Sequence, residues 1–290
     1  MNTRAGARPI LVGVDGSAAG TAGLGWAVAE ARRRSVPLQV VYVLEQSHSD
    51  AFTRANPVYV ADERREAEVV LDTAVGYAHG LAADVDVRPA LEVGSPTVVL
   101  LARSAAAEMV VVGSRGRGGF AGLLLGSTSL QVAAHAPCPV VVLRGVTGPA
   151  GPADRIVVGV DGSPSSELAV RFAFTRSQQT GRGLTAVHTW HSSAGHVDLR
   201  LSGGRKRAEK EEQALLAERL VPWRERHPEV DVVERTMRGN AAAALIGESA
   251  GAELLVVGSH GRGGFGGLLL GSVSHAVLHH AHCPVAVVRH

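Results

Sequence analysis

The chain has 290 residues, of which 46% are hydrophobic and 19% charged, and its formal net charge is +2. That length holds about two ordinary domains, and a balance so close to neutral excludes the broad single-sign field that grips nucleic acid or an acidic membrane surface. No apolar stretch approaches the roughly 20 residues of a membrane span, and the first apolar run, residues 10–14, is too short for a signal-peptide core, so a cytoplasmic protein is expected.

Strand-length apolar runs rich in β-branched residues occupy 10–14, 38–44, 109–112 and 139–143, with a weaker alternating run at 85–90. Helical patterns lie between them, at 17–34 with a hydroxyl start, 61–82 rich in Ala and Glu, 96–107 and 127–134. This β-α-β-α-β-α-β-α-β order then repeats. Ile10-Leu-Val-Gly-Val-Asp-Gly-Ser17 returns as Ile156-Val-Val-Gly-Val-Asp-Gly-Ser163, and Gly94-Ser-Pro-Thr has a looser echo in Gly239-Asn-Ala-Ala. Residues 145–154 have linker composition, which divides the chain into domains 1–148 and 149–290, each with enough apolar segments to close its own core. Continuous apolar strands alternating with helices belong in a parallel sheet covered on both faces. With the informative loops after strands one and four placed side by side, the expected order is 3-2-1-4-5, and ligands bind where that order reverses.

The second repeat carries a polar stretch, 192–204, that reads as a loop, and Arg205-Lys-Arg207 followed by Glu209, Glu211 and Glu212 reads as a solvated helix face. Cys138 and Cys283 sit in matching contexts, Ala-Pro-Cys-Pro and Ala-His-Cys-Pro, so small buried thiols at strand starts are expected rather than a disulfide.

The loop after the fourth strand is Gly113-Ser-Arg-Gly-Arg-Gly-Gly-Phe-Ala-Gly-Leu-Leu-Leu-Gly-Ser127 in the first repeat and Gly258-Ser-His-Gly-Arg-Gly-Gly-Phe-Gly-Gly-Leu-Leu-Leu-Gly-Ser272 in the second. Glycine amides delivered beside a helix start suit a phosphate group, and Ser127 and Ser272 read as helix caps whose hydroxyls also reach a phosphate oxygen. Ser127, Thr128 and Ser129 together exceed what a packing turn needs, although helix–strand packing alone accounts for some glycine-rich turns. The leucines at 123–125 read as an anchor for the loop. Neither a dinucleotide fingerprint nor a Gly-x-x-x-x-Gly-Lys-Ser/Thr element is present. Asp15 and Asp161 follow the first strand of each repeat, where a carboxylate accepts from ribose hydroxyls, helps to hold a metal ion, or caps the helix. Arg115 and His260 stand at equivalent places between loop glycines, as phosphate donors or as exposed side chains.

Gly-x2-Gly-x9-Gly-Ser after a strand, joined to a Val-Asp-Gly-Ser turn after the first strand, resembles the ATP-binding universal stress proteins, twice and across almost the whole chain. The resemblance implies two tandem Rossmann-like α/β domains, of the adenine nucleotide alpha hydrolase-like kind, with one adenine nucleotide in each. It implicates Gly13, Val14, Asp15, Val43 at the adenine, Val112, Gly113, Arg115, Gly116, Gly126, Ser127, Thr128 and Ser129. In the second repeat it implicates Gly159, Val160, Asp161, Thr189, Val257, Gly258, His260, Gly261, Gly271, Ser272, Val273 and Ser274. Thr189 stands where the first repeat has an aliphatic adenine contact, and Val273 lacks the hydroxyl of Thr128, so unequal affinities are expected.

The implied cofactor is ATP, with Mg2+ as a companion. The implied role is a nucleotide-dependent sensor in the stress response, with protein partners the sequence does not name. A slow Mg-dependent ATPase or phosphotransferase is the alternative, since no nucleophile–base pair stands in the loops. The last strand of each repeat is expected at a sheet edge that pairs the two domains or makes a homodimer. His275, His279, His280, His282 and His290 read as a polar helix surface rather than a metal centre.

Overall fold

The computed structural model describes residues 6–45, 57–116, 124–143, 154–190, 202–262 and 269–289. The chain divides into two compact units, Met1–Thr147 and Gly148–His290. In the first unit β1 (Ile10–Val14), α1 (Ala18–Arg34), β2 (Leu38–Leu44), α2 (Pro57–Leu81), β3 (Val87–Val93), α3 (Pro96–Ser104), β4 (Met109–Gly113), α4 (Ser127–His135) and β5 (Val140–Leu143) follow one another. The second unit runs β6 (Arg155–Gly159), α5 (Pro164–Thr180), β7 (Gly183–Trp190), α6 (Ser202–Arg226), β8 (Val232–Arg238), α7 (Ala241–Glu248), β9 (Leu254–Gly258), α8 (Ser272–His280) and β10 (Val285–Val288).

Each unit holds five parallel strands, ordered β3-β2-β1-β4-β5 in the first and β8-β7-β6-β9-β10 in the second. The central strands are buried on both faces, with Ile10, Leu11, Met109, Val110 and Val111 in one unit and Ile156, Leu254, Leu255 and Val256 in the other fully inaccessible. Such strands have no polar face to show water, so helices must cover both sides.

The third strand lies later than the alternation at 85–90 places it. Pairing with β2 sets its register, Leu38 opposite Val87 through Leu44 opposite Val93, while Val85 is buried in the turn before it. Pro89 is tolerated because β3 is outermost in its unit, where a missing N–H costs no ladder bond. The polar stretch 192–204 is also shorter than it reads, since α6 already begins at Ser202; residues 191–201 lie outside the described residues. Further along α6, Arg207 is exposed and pairs with Glu211 at 2.9 Å, the solvated face its charge pattern indicates.

Cys138 and Cys283 are buried and not disulfide-bonded. Burial pushes the Cys138 thiol up from its ordinary 9.0 to about 11, against smaller downward pulls from backbone hydrogen bonds and Arg8. Among the described residues no helix is long and apolar enough to cross a membrane.

Candidate functional site

The first strand of each unit ends in an Asp-Gly-Ser turn that only glycine closes without strain, because Gly16 and Gly162 take φ of +79° and +78°. Ser17 and Ser163 then cap the helices, their hydroxyls accepting from the backbone N–H of Gly20 at 3.0 Å and of Ser166 at 3.2 Å. The carboxylates are therefore not the caps. Asp15 Oδ1 accepts from the Ser17 amide at 3.0 Å and from its hydroxyl at 2.6 Å, while Asp161 Oδ1 accepts from the Ser163 amide at 2.8 Å.

The other carboxylate oxygen faces the glycine loop. A methyl group on Gly116 would lie 2.6 Å from Asp15 Oδ2, and one on Gly261 would lie 2.7 Å from Asp161 Oδ2. In the second unit the Arg262 amide donates to that same oxygen at 3.2 Å. Gly116 and Gly261 are thus glycines because the loop backbone closes onto a carboxylate.

Gly113 and Gly258 have a different reason. A methyl on Gly113 would stand 2.7 Å from the Ala19 carbonyl carbon and 2.8 Å from the Gly20 nitrogen, and one on Gly258 would stand 2.8 Å from Ser165. These two glycines let the first helix pack on the end of the fourth strand, so at this position the packing explanation of the loop holds.

Two further expectations are corrected. The caps of α4 and α8 are Gly126 and Gly271, without a side-chain cap bond, and Ser127 and Ser272 are the first helical residues. The Gly126 and Gly271 amides are also engaged, donating to Ser114 O at 2.7 Å and Ser259 O at 2.8 Å to close the loop. The hydroxyls of Ser129 and Ser274 donate to Gly113 O and Gly258 O, each at 2.6 Å, which ties the helix back to the strand. What remains directed outward is the set of first-turn amides, 127–129 and 272–274, which an α-helix cannot satisfy internally. Those amides and the helix dipole favour an anion.

In the second unit these parts enclose a cavity of about 500 Å3. Gly159, Val160 and Asp161 from the end of β6 and its turn, Thr189 from β7, Val257 and Gly258 from the end of β9, His260 and Gly261 from the loop, and Gly271, Ser272, Val273 and Ser274 from the start of α8 all line it. Ser166, Val187, Ala241, Leu245 and Arg262 line it too and were not anticipated. Leu245 has a legible signal, since Gly239-Asn-Ala-Ala starts a helix aimed at the sheet; a methyl on Gly159 would meet its Cδ1 at 3.1 Å. Ser166 has none, because Gly20 occupies the same position of the first-unit turn.

The first unit presents the matching constellation. Gly13 packs against Leu100 as Gly159 does against Leu245, Val43 is half-buried near the end of β2, Val112 and Gly113 end β4, and Arg115 is exposed. Thr128 Oγ1 stands 3.5 Å from Thr97 Oγ1, whereas the second unit has Val273 and Ala242 at these places. His260, the counterpart of Arg115, has its Nδ1 3.0 Å from Ser259 Oγ. Residues 117–123 and 263–268 lie outside the described residues, so of the leucine anchor only Leu124, exposed, and Leu125, buried, are seen.

A residue the sequence did not single out supports the second site from behind. His188 is buried, with Nδ1 2.7 Å from Val160 O and Nε2 2.9 Å from Glu212 on α6. On α8, the His275 and His279 rings lie tilted against each other with centroids 4.5 Å apart, and no group of three or more His, Cys, Asp or Glu able to hold a metal occurs among the described residues.

Comparison with known proteins agrees with this architecture. The model of the Universal stress protein family matches residues 6–144 and again 152–289. Universal stress protein Rv2005c of Mycobacterium tuberculosis is 40% identical over 287 residues, covering 97% of this chain and 96% of its own. A universal stress protein of Mycolicibacterium smegmatis is 39% identical over 291 residues, with the same coverage. The crystal structure of a universal stress protein from Archaeoglobus fulgidus superposes with a TM-score of 0.70 at 23% identity, over 97% of this chain and 96% of that one, a likeness of fold. With the family matched in both units and the curated relatives spanned nearly end to end, the chain belongs to the universal stress protein family.

Proposed function

We propose that each unit binds an adenine nucleotide, ATP in preference, in the crevice between its first-strand turn and its glycine loop, and that occupancy governs association with other proteins in a stress response. The observation that carries this reading is convergence. Seventeen residues from five separate segments of the second unit line one cavity of about 500 Å3, a size suited to a nucleotide-scale ligand. Apolar Val160, Val187 and Leu245 suit a base, the Asp161 carboxylate suits ribose hydroxyls, and the unsatisfied amides at the start of α8 suit phosphate.

A magnesium ion fits as a passenger of the triphosphate, with Asp15 or Asp161 as one oxygen ligand and phosphate and water completing the shell. Its chemistry there is to neutralise phosphate charge. We propose binding without fast turnover, with slow hydrolysis as the alternative.

Mass spectrometry of the nucleotide released on denaturing the purified protein tests the reading. ATP, ADP or AMP at up to two molecules per chain is expected. Absence of any adenine nucleotide, together with no calorimetric heat at millimolar ATP and magnesium, would overturn it. Phosphate release that is fast and lost in Asp15→Ala/Asp161→Ala would establish the enzyme instead.

A further inference from the structure

One part-buried charge outside the glycine loops distinguishes the second site from the first, beside the exposed Glu167 that stands where the first unit has Thr21. Over the first-unit turn stands Val70 of α2, whose Cγ1 would touch a methyl on Gly16 at 3.4 Å. Over the second-unit turn stands Arg219 of α6, and a methyl on Gly162 would overlap its guanidinium. The helices correspond at this point, for the buried pairs Ala67 and Leu71 beside Val70 match Leu216 and Leu220 beside Arg219. An isopropyl group in one copy has become a guanidinium in the other.

That guanidinium is not consumed locally. Its Nη1 is buried and has no hydrogen-bond partner among the described residues. Burial, chiefly, and the neighbouring Arg262 hold its pKa below the ordinary guanidinium range, while Asp161, Glu212 and Glu167 pull it upward. A guanidinium starts so high that it stays charged at neutral pH. Glu212 also faces His188 at 2.9 Å, and Asp161 takes the Ser163 and Arg262 amides, so the nearby carboxylates have other partners as well. Arg219 is not among the residues lining the cavity, whereas Asp161 and Arg262 are. Its influence therefore travels as a field through the thin Gly162 backbone, where partial burial limits screening by water.

A carboxylate in the wall of an anion site repels polyphosphate and must be offset. In the first site the position behind the turn is neutral. In the second it is cationic. Resting on the nucleotide reading above, we propose that Arg219 is a specificity-determining residue that makes the second site select for phosphate charge, favouring a nucleoside triphosphate over the monophosphate without help from a divalent metal, a preference weaker in the first site.

The test uses the full chain in EDTA, with one crevice filled at a time: Thr128→Trp leaves the second site and Val273→Trp leaves the first. Calorimetry with ATP and with AMP reads the ratio of the two affinities. The second site is expected to show a ratio at least tenfold above that of the first. Adding Arg219→Met is expected to weaken ATP about tenfold and AMP less than twofold, and Arg219→Lys to keep most of the ratio. Equal losses for ATP and AMP would make Arg219 merely structural and overturn the proposal, as would no loss at all. Should Arg219→Met not fold, Val70→Arg in the first site decides: a gain in the ATP ratio of about tenfold supports the proposal, and no gain overturns it. If the unsubstituted protein takes up neither ligand, the nucleotide reading itself fails, a result distinct from equal losses.

Discussion

Gly113 and Gly116 lie three residues apart in one loop, yet a methyl added to each meets different matter. At Gly113 it meets the backbone of α1, which cannot move aside without lifting the helix from β4. At Gly116 it meets a carboxylate oxygen that can rotate. Gly113→Ala is therefore expected to destabilise the first unit by about 1–3 kcal/mol, the usual cost of overpacking, as read by urea unfolding. Gly116→Ala is expected to leave stability within about 1 kcal/mol while lowering ATP affinity by calorimetry, because Asp15 is pushed out of place. A binding loss at Gly113 with unchanged stability would reverse this assignment. Both glycines were evident in the repeated sequence motif; their separate reasons were not, since each depends on which backbone or side chain the fold brings against it.

The turn and the helix it starts act as one element. Ser17 and Ser163 are caps in both units, and both hydroxyls approach a loop carbonyl, Arg115 O at 3.3 Å and His260 O at 3.4 Å, but Ser17 Oγ also donates to Asp15 Oδ1 at 2.6 Å. Removing the cap costs about 1 kcal/mol, and removing the bond to a charged group costs more. Ser17→Ala is accordingly expected to destabilise by about 2 kcal/mol and Ser163→Ala by about 1 kcal/mol in denaturant unfolding. Equal effects would remove the distinction between the turns. At this scale the alternation of apolar runs and helical patterns located the strands and helices of the first unit, with slips at the start of α2, which begins at Pro57 rather than at 61, and at β3. That strand is outermost in its unit and half-exposed, so its own pattern is weak and its partner β2 fixes where it starts.

Across the whole molecule, the buried Cys138 thiol makes stability depend on pH at the alkaline end. Below pH 9 the Cys138 thiol is neutral in both folded and unfolded chains and contributes nothing that varies. Between 9.0 and about 11 the unfolded thiol ionises while the buried one does not, which favours unfolding. The native protein is expected to lose up to about 3 kcal/mol over that interval relative to Cys138→Ala, measured by urea midpoints from pH 8 to 11. A pH profile identical to that of the variant would show the thiol to be solvated.

The sequence by itself determined the duplication, the parallel α/β class and the strand order, because periodicity and repetition are written along the chain. Only the tertiary structure decided which glycine amides and hydroxyls are spent on closing the loop, that Gly126 and Gly271 rather than Ser127 and Ser272 cap their helices, and that Leu245, His188 and Arg219 stand around the second site. Those facts rest on contacts between segments far apart in sequence. Neighbourhood of that kind is set by packing, not by any local pattern of residues.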